Sequence, residues 1–136
     1  MNRNELVSVI IPTFKRAEML PRAIDSVLNQ TYHNIEVIVV DDNDPNTDYR
    51  KSTQKVLSKY KDDPRVIYIQ HEYNKNGAVA RNTGILNSNG AYICFLDDDD
   101  WYLPQKIQKQ VEFLSNNPQF DAVYCGWNRD NKKIMP

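Results

Sequence analysis

Four consecutive carboxylates, Asp97-Asp98-Asp99-Asp100, follow directly on the apolar run Ala91-Tyr-Ile-Cys-Phe-Leu96. One or two aspartates in such a place have an ordinary use, because acidic side chains favour the N-terminus of a following helix. Four are harder to hold, since a strand pins the run at a sheet edge and like charges repel there. A divalent cation would offset that repulsion. Oxygen-only ligands suit magnesium or manganese, which commonly take one or two carboxylates plus substrate phosphates. The run is no EF-hand loop. Counted from Asp97, the position that needs glycine is Tyr102 and the position that needs glutamate is Gln108.

A second acidic pair, Asp41-Asp42, ends the run Ile35-Glu-Val-Ile-Val-Val40. Asp-Asp-Asn-Asp-Pro reads equally as a turn and as a carboxylate placed to accept a hydrogen bond from a ligand N–H or hydroxyl. Cations stand nearby in the same pattern. Lys15 and Arg16 follow the run Val7-Ser-Val-Ile-Ile11 and Pro12, and Arg81 lies within Ala80-Arg-Asn-Thr-Gly84. Each is a surface charge in the ordinary case. Beside an acidic, metal-bearing rim, Lys15 and Arg16 could flank a diphosphate, and Arg81 could turn its fork to a ligand or to the acidic edge. His33 and His71 stand apart from each other and from both cysteines, which argues against zinc. Trp101 and Tyr102 read as packing residues at a helix start rather than as a sugar platform. The four glycines make neither a dinucleotide fingerprint nor a Walker loop.

The elements that would carry these groups can be traced from periodicity. Val7–Ile11, stopping at Pro12, reads as a buried strand. Leu20, Ala23, Ile24, Val27 and Leu28 share one helix face, with Pro21 in the tolerated first turn. Ile35–Val40 is a second strand and 46–60 a more polar helix with Val56, Leu57 and Tyr60 inward. Val66–Ile69 is a third strand, and 77–88 a helix interrupted by Gly84. Ala91–Leu96, nearly all apolar, reads as a central fourth strand. Pro104 opens a helix with Ile107, Val111 and Leu114 on one face, and Ala122–Cys125 reads as a fifth strand. Alternating apolar strands and helices predict a mostly parallel α/β sheet covered on both faces. In such sheets ligands bind beyond the carboxyl ends of the strands. The acidic runs at 41–42 and 97–100 therefore converge on one rim.

Composition limits the alternatives. The chain has 136 residues, one domain's worth, with 40% hydrophobic and 26% charged residues. A net charge of −1 leaves no basic excess for a nucleic-acid backbone. No apolar run approaches a membrane span of roughly 20 residues, and the first residues hold no signal-peptide core. The expected location is the cytoplasm, with a peripheral position at the inner face of the membrane as the variant. Cys94 and Cys125, each inside an apolar run, read as buried reduced thiols.

In order, the blocks Val7–Arg16, Ala23–Tyr32, Ile35–Asp42, Asn76–Gly84 and Ala91–Trp101 resemble family 2 glycosyltransferases. The similarity runs from residue 7 to about 114, and several blocks in order are far more specific than one Asp-x-Asp triplet. The resemblance implies a GT-A, Rossmann-like fold and a nucleotide-sugar donor, usually a UDP-sugar. Pro12, Thr13 and Phe14 would line the nucleoside pocket with Arg16 near it. Asp42, with Asp41 beside it, would take the uracil N–H, and Asn74 and Arg81 would border the base and diphosphate. Asp97 and Asp99 match the ends of the metal motif, with Asp97 or Asp98 toward the ribose and a manganese or magnesium ion on Asp97 and Asp99. The chain departs from the pattern in carrying aspartate at all four positions.

The resemblance further implies an inverting transfer to a saccharide or lipid-linked saccharide acceptor, commonly in surface polysaccharide assembly. It also places the general base beyond residue 136. The chain then reads as the donor-binding portion of a larger enzyme, truncated on the C-terminal side. Alone, it is expected to bind nucleotide weakly, transfer no sugar and self-associate through an uncovered apolar face. Two other readings compete. A nucleotidyltransferase would carry a glycine-rich loop where Pro12-Thr-Phe-Lys-Arg16 stands. A receiver-like signalling domain would carry an aspartate on the third strand, where Ile69-Gln-His71 stands.

Overall fold

The computed structural model describes residues 4–128 and 134–135. Strands β1 (Val7–Thr13), β2 (Ile35–Asp41), β3 (Val66–Gln70) and β4 (Tyr92–Phe95) form one parallel sheet in the order β3-β2-β1-β4. Helices α1 (Leu20–Leu28), α2 (Asp48–Ser58), α3 (Gly77–Leu86) and α4 (Lys106–Asn116) alternate with them. The central strands β1 and β2 are apolar along their length because both of their faces are covered. Val7, Val9, Ile11, Val37 and Val39 point to the larger core, where they meet Leu20, Ile24 and Val27 of α1, Val56 and Leu57 of α2, and Ile107 and Val111 of α4. The alternate residues Ile10, Ile38 and Val40 point the other way, onto Ala80 of α3.

Helix α3 lies close on the sheet because Gly84 lets it. A Cβ built there would stand 2.4 Å from the Ile10 side chain. Gly84 therefore interrupts the helical pattern for a packing reason. Gly84→Ala is expected to cost about 1–3 kcal/mol through overpacking, read as a lower denaturant midpoint with an unchanged slope.

The far end of the sheet is tied by a buried carboxylate. Glu36 accepts from Ser8 Oγ (2.6 Å), from the Asn89 backbone N–H (2.7 Å) and from the Asn89 amide (3.2 Å). Burial pushes the Glu36 carboxyl up, but these donors outweigh it and hold the group below its ordinary value. The stabilisation is therefore complete at neutral pH and fades only on acidification below that ordinary value. Gly90 completes the knot by donating to Ser8 Oγ at 2.8 Å. A Cβ at Gly90 would meet Ser8 N at 2.7 Å and Leu6 O at 2.8 Å, so this turn into β4 requires glycine.

Four expectations change. β4 is the edge strand of the sheet among the described residues, not its centre, and Ile93 and Phe95 are exposed. Apolar character marked a strand here but set neither its order nor its burial. β1 runs through Pro12 to Thr13. The last β4 residue, Phe95, pairs with Ile10, and Leu96 still donates to the Ile10 carbonyl at 3.0 Å. Pro12 lies past that ladder, where a missing N–H costs no pairing. Residues 122–125 form no strand. The next strands are β5 (Trp127–Asn128) and β6 (Ile134–Met135), an antiparallel pair. Cys125 is accordingly exposed and Cys94 half-buried, both free. A groove of about 350 Å³ runs between β4, α4 and residues 121–123.

Candidate functional site

A cleft of about 440 Å³ opens beyond the carboxyl ends of β1, β2 and β4. Pro12, Thr13, Phe14 and Arg16 line it from the end of β1 and the segment after it, and Asp42 from the end of β2. Asn74 and Asn76 come from the loop after β3, Gly77, Ala80 and Arg81 from α3, and Asp97 and Asp98 from the segment after β4. Of the residues expected at the site, Asp41 and Asp99 do not line this cleft.

The four aspartates divide by direction. Asp98 is buried beneath the rim and ties the acidic run to β1. Its carboxylate accepts from Thr13 Oγ1 (2.9 Å), the Phe14 backbone N–H (3.4 Å) and Arg16 Nη1 (3.2 Å). Burial pushes its carboxyl up, more than Thr13 and Arg16 pull it down. Asp97, Asp99 and Asp100 project outward, and each can bring one oxygen within 4.8 Å of the others. Asp100 joins because its N–H donates to the Asp97 carbonyl at 3.0 Å, a turn that carries it back beside Asp97. Three converging carboxylates suit a hard divalent cation, so the residues fit a metal and extend the expected pair by Asp100.

Burial, then repulsion from Asp99 and Asp97, raises the Asp100 carboxyl above its ordinary value. A raised carboxyl destabilises the folded state once pH rises through its folded value, so charged Asp100 is a liability at neutral pH without an ion. Asp100→Asn is expected to raise the melting temperature in chelator and to shrink the stabilisation produced by manganese. An unchanged manganese-induced shift, followed by differential scanning fluorimetry, would remove Asp100 from the ligand set.

Three arginines meet these acids. Arg81 Nη2 lies 3.0 Å from Asp97 Oδ1, and Arg16 Nη1 lies 2.8 Å from Asp99 Oδ2. Arg22 donates to the Asp99 carbonyl at 2.8 Å, and its guanidinium stacks over Trp101 at 4.0 Å from the ring centre. Trp101 itself is exposed, five residues before α4, whereas its neighbour Tyr102 is buried and donates to the Phe95 carbonyl at 2.6 Å.

The opposite wall is built on Asp41 and Asp42, which do different work. Asp41 is wholly buried. It accepts from the Asn43 N–H (3.0 Å), the Asn43 amide (2.8 Å) and Tyr68 Oη (2.5 Å). Arg50 Nε lies 3.1 Å from it, without the alignment of a hydrogen bond. Burial, then this bond to Asp41, pushes the Tyr68 hydroxyl up, so it stays protonated and donates. Arg50 also donates to the carbonyls of Asn43 and His71 (2.6 Å to the latter), clamping the loops after β2 and β3 together. Asp42 reaches the cleft wall. Its Oδ1 accepts from the Lys75 N–H (2.8 Å) and faces His71 Nδ1 at 2.7 Å, while Oδ2 accepts from Asn74 Nδ2 at 3.0 Å.

Arg50 was not singled out from sequence, and His71 was weighed only as a zinc ligand. Arg50 sits on a polar helix, where an arginine carries no mark of burial. His71 stands one residue past β3, where the rule of strand carboxyl ends could have placed it at the rim. Lys15, expected beside a diphosphate, lies instead over the Phe14 and Tyr49 rings, 4.9 and 5.0 Å from their centres.

Comparison with known proteins agrees with this geometry. The family model "Glycosyl transferase family 2" matches residues 8–134. An uncharacterized glycosyltransferase of Rickettsia bellii is 42% identical over 115 residues, 85% of this chain and 16% of that protein. The UDP-Glc:alpha-D-GlcNAc-diphosphoundecaprenol beta-1,3-glucosyltransferase WfaP of Escherichia coli is 39% identical over 116 residues, 85% of this chain and 44% of that protein. This chain therefore spans less than half the length of either relative. Among solved structures, S. aureus TarS 1-349 in complex with UDP-GlcNAc superposes with a TM-score of 0.73 at 26% identity, over 83% of this chain and 32% of that one. The parallel sheet, the rim of the cleft and the match over nearly every residue agree: the fold is GT-A, and the chain belongs to glycosyl transferase family 2.

Proposed function

We propose that this chain holds the donor site of an inverting glycosyltransferase that moves a sugar from a UDP-sugar to an acceptor hydroxyl in surface polysaccharide assembly. The observation that carries the reading is the cleft and its rim: a carboxylate with spare acceptor capacity on one wall, Asp97 with Arg16 and Arg81 on the other, and Asp99 and Asp100 converging on Asp97 just outside the lining. Asp42 Oδ2 accepts a base N–H, and Pro12, Thr13 and Phe14 line the nucleoside. Asp97, Asp99 and Asp100 would hold a magnesium or manganese ion, which would supply stabilisation of charge on the departing diphosphate. Arg16 and Arg81, held beside Asp99 and Asp97, are placed to grip phosphate oxygens. Asp98 stays below, fixing the acidic run to β1.

The UDP-GlcNAc complex of TarS and the UDP-Glc donor in the name of WfaP favour a uridine donor. The name of WfaP likewise favours a lipid-linked saccharide acceptor. No helix among the described residues is long and apolar enough to cross a membrane. The general base for the acceptor hydroxyl is assigned outside residues 1–136. Asp42→Asn tests base recognition. Losing one charge-assisted hydrogen bond costs about 1.5–3 kcal/mol, so UDP affinity is expected to fall roughly 10- to 100-fold. Equal affinity in the folded variant, measured calorimetrically, would return Asp42 to the role of a turn residue.

A further inference from the structure

The acceptor atom on the base-side wall is aimed by a residue outside the cleft lining. Asp42 offers about four lone-pair positions. Two at Oδ1 are taken by the Lys75 N–H and the His71 ring, and one at Oδ2 by Asn74. The remaining position lies on Oδ2. Which oxygen keeps the opening depends on what fills Oδ1, and His71 is the side chain that does so. A carboxylate only accepts, so His71 Nδ1 carries the proton in this contact.

His71 is itself immobilised at every polar atom. Its N–H donates to the Asp41 carbonyl at 2.9 Å, and its carbonyl accepts from Arg50 at 2.6 Å. Its Nε2 lies 2.8 Å from Thr83 Oγ1 on α3, and the residue is 6% exposed. Such a ring is costly to place unless its orientation matters, because a buried imidazole needs both nitrogens satisfied. Here α3 satisfies one nitrogen and Asp42 the other.

We infer that His71 is a positioning residue for donor recognition: it locks Asp42 so that Oδ2 alone presents an acceptor to the nucleobase, and it thereby sets the preference for a base with a ring N–H. The inference rests on the reading that Asp42 meets the base. Without the Nδ1–H, only the Lys75 N–H remains on Oδ1, one of its positions is freed, and the opening is shared between two oxygens. The expected loss is one of alignment, which preorganisation normally protects.

The experiment is a calorimetric double-mutant cycle with UDP in saturating manganese, accompanied by melting temperatures. His71→Leu is expected to weaken UDP about tenfold in the parent and less than about twofold in an Asp42→Ala background, the signature of coupled residues. His71→Asn keeps a donor at the Nδ1 place and is expected to retain affinity within about threefold, whereas His71→Gln, with its donor at the Nε2 place, is expected to lose as much as His71→Leu. A filler role predicts instead that affinity follows melting temperature across the three variants, and that result overturns the inference. Should His71→Leu not fold, the asparagine and glutamine variants decide it, and equal affinities overturn it. If Asp42→Ala leaves UDP binding unchanged, the donor-site reading of Asp42 fails and takes this inference with it. If Asp42→Ala weakens UDP while the His71 variants do not, only the inference fails.

Discussion

Replacing Arg50 with methionine is expected to destabilise the protein by about 3–5 kcal/mol, the cost of removing one partner from a buried ion pair. Arg50 is 6% exposed and Asp41 has no accessible surface. The substitution strands the Asp41 carboxylate with hydroxyl and amide donors but no countercharge, and it frees the carbonyls of Asn43 and His71. For a chain of this size the melting temperature should fall by very roughly 10–20 °C. A double replacement, Arg50→Met with Asp41→Asn, is expected to recover part of that loss because no buried charge remains. Chemical denaturation of the parent and both variants checks this. A single-variant loss below about 1 kcal/mol would mean that water reaches Asp41 and that the clamp between the two loops is not structural.

Replacing Asp99 with alanine is expected to have the opposite profile, with little effect on folding and a large effect on binding. The Arg16–Asp99 pair is about half exposed on each side, and such pairs contribute little to stability. Removing one carboxylate from a crowded acidic edge also relieves repulsion on Asp100. The apo protein should therefore melt at the same temperature or slightly higher. Manganese-dependent UDP affinity should fall about 100-fold or more, since a divalent site with one ligand removed loses both the ion and the charge that offsets the diphosphate. Unchanged manganese dependence in a folded Asp99→Ala protein would exclude Asp99 as a ligand and shift the site to Asp97 and Asp100.

The frame of the molecule was legible from hydrophobic runs because the two central strands, β1 and β2, are buried on both faces. Val7–Ile11, Ile35–Val40 and Val66–Ile69 have no other use for so many β-branched residues. Strand order was not legible. The Ala91–Leu96 run is as apolar as β2, yet it forms an edge with one face exposed, because local composition marks a strand and not its neighbours. Ala122–Cys125 failed for a related reason: four apolar residues suffice for a strand pattern, but no described strand offers them a ladder. Much of the rim of the cleft could be read from the residues just past each strand's carboxyl end, since a parallel sheet brings those segments together. The division of labour within Asp41-Asp42 could not. Adjacent residues at a strand end point in opposite directions, and only Arg50, 9 positions on, and His71, 29 positions beyond Asp42, reveal which carboxylate faces inward.

The most direct test is a calorimetric titration of this chain with UDP, once in manganese and once in chelator. A family 2 donor site built on Asp42 and the 97–100 carboxylates predicts one UDP per chain, bound at least about tenfold more tightly with manganese, consistent with an ion shared between carboxylates and diphosphate. Binding of equal strength in chelator would contradict the metal-bridged arrangement, and no binding in either buffer would contradict the donor site itself.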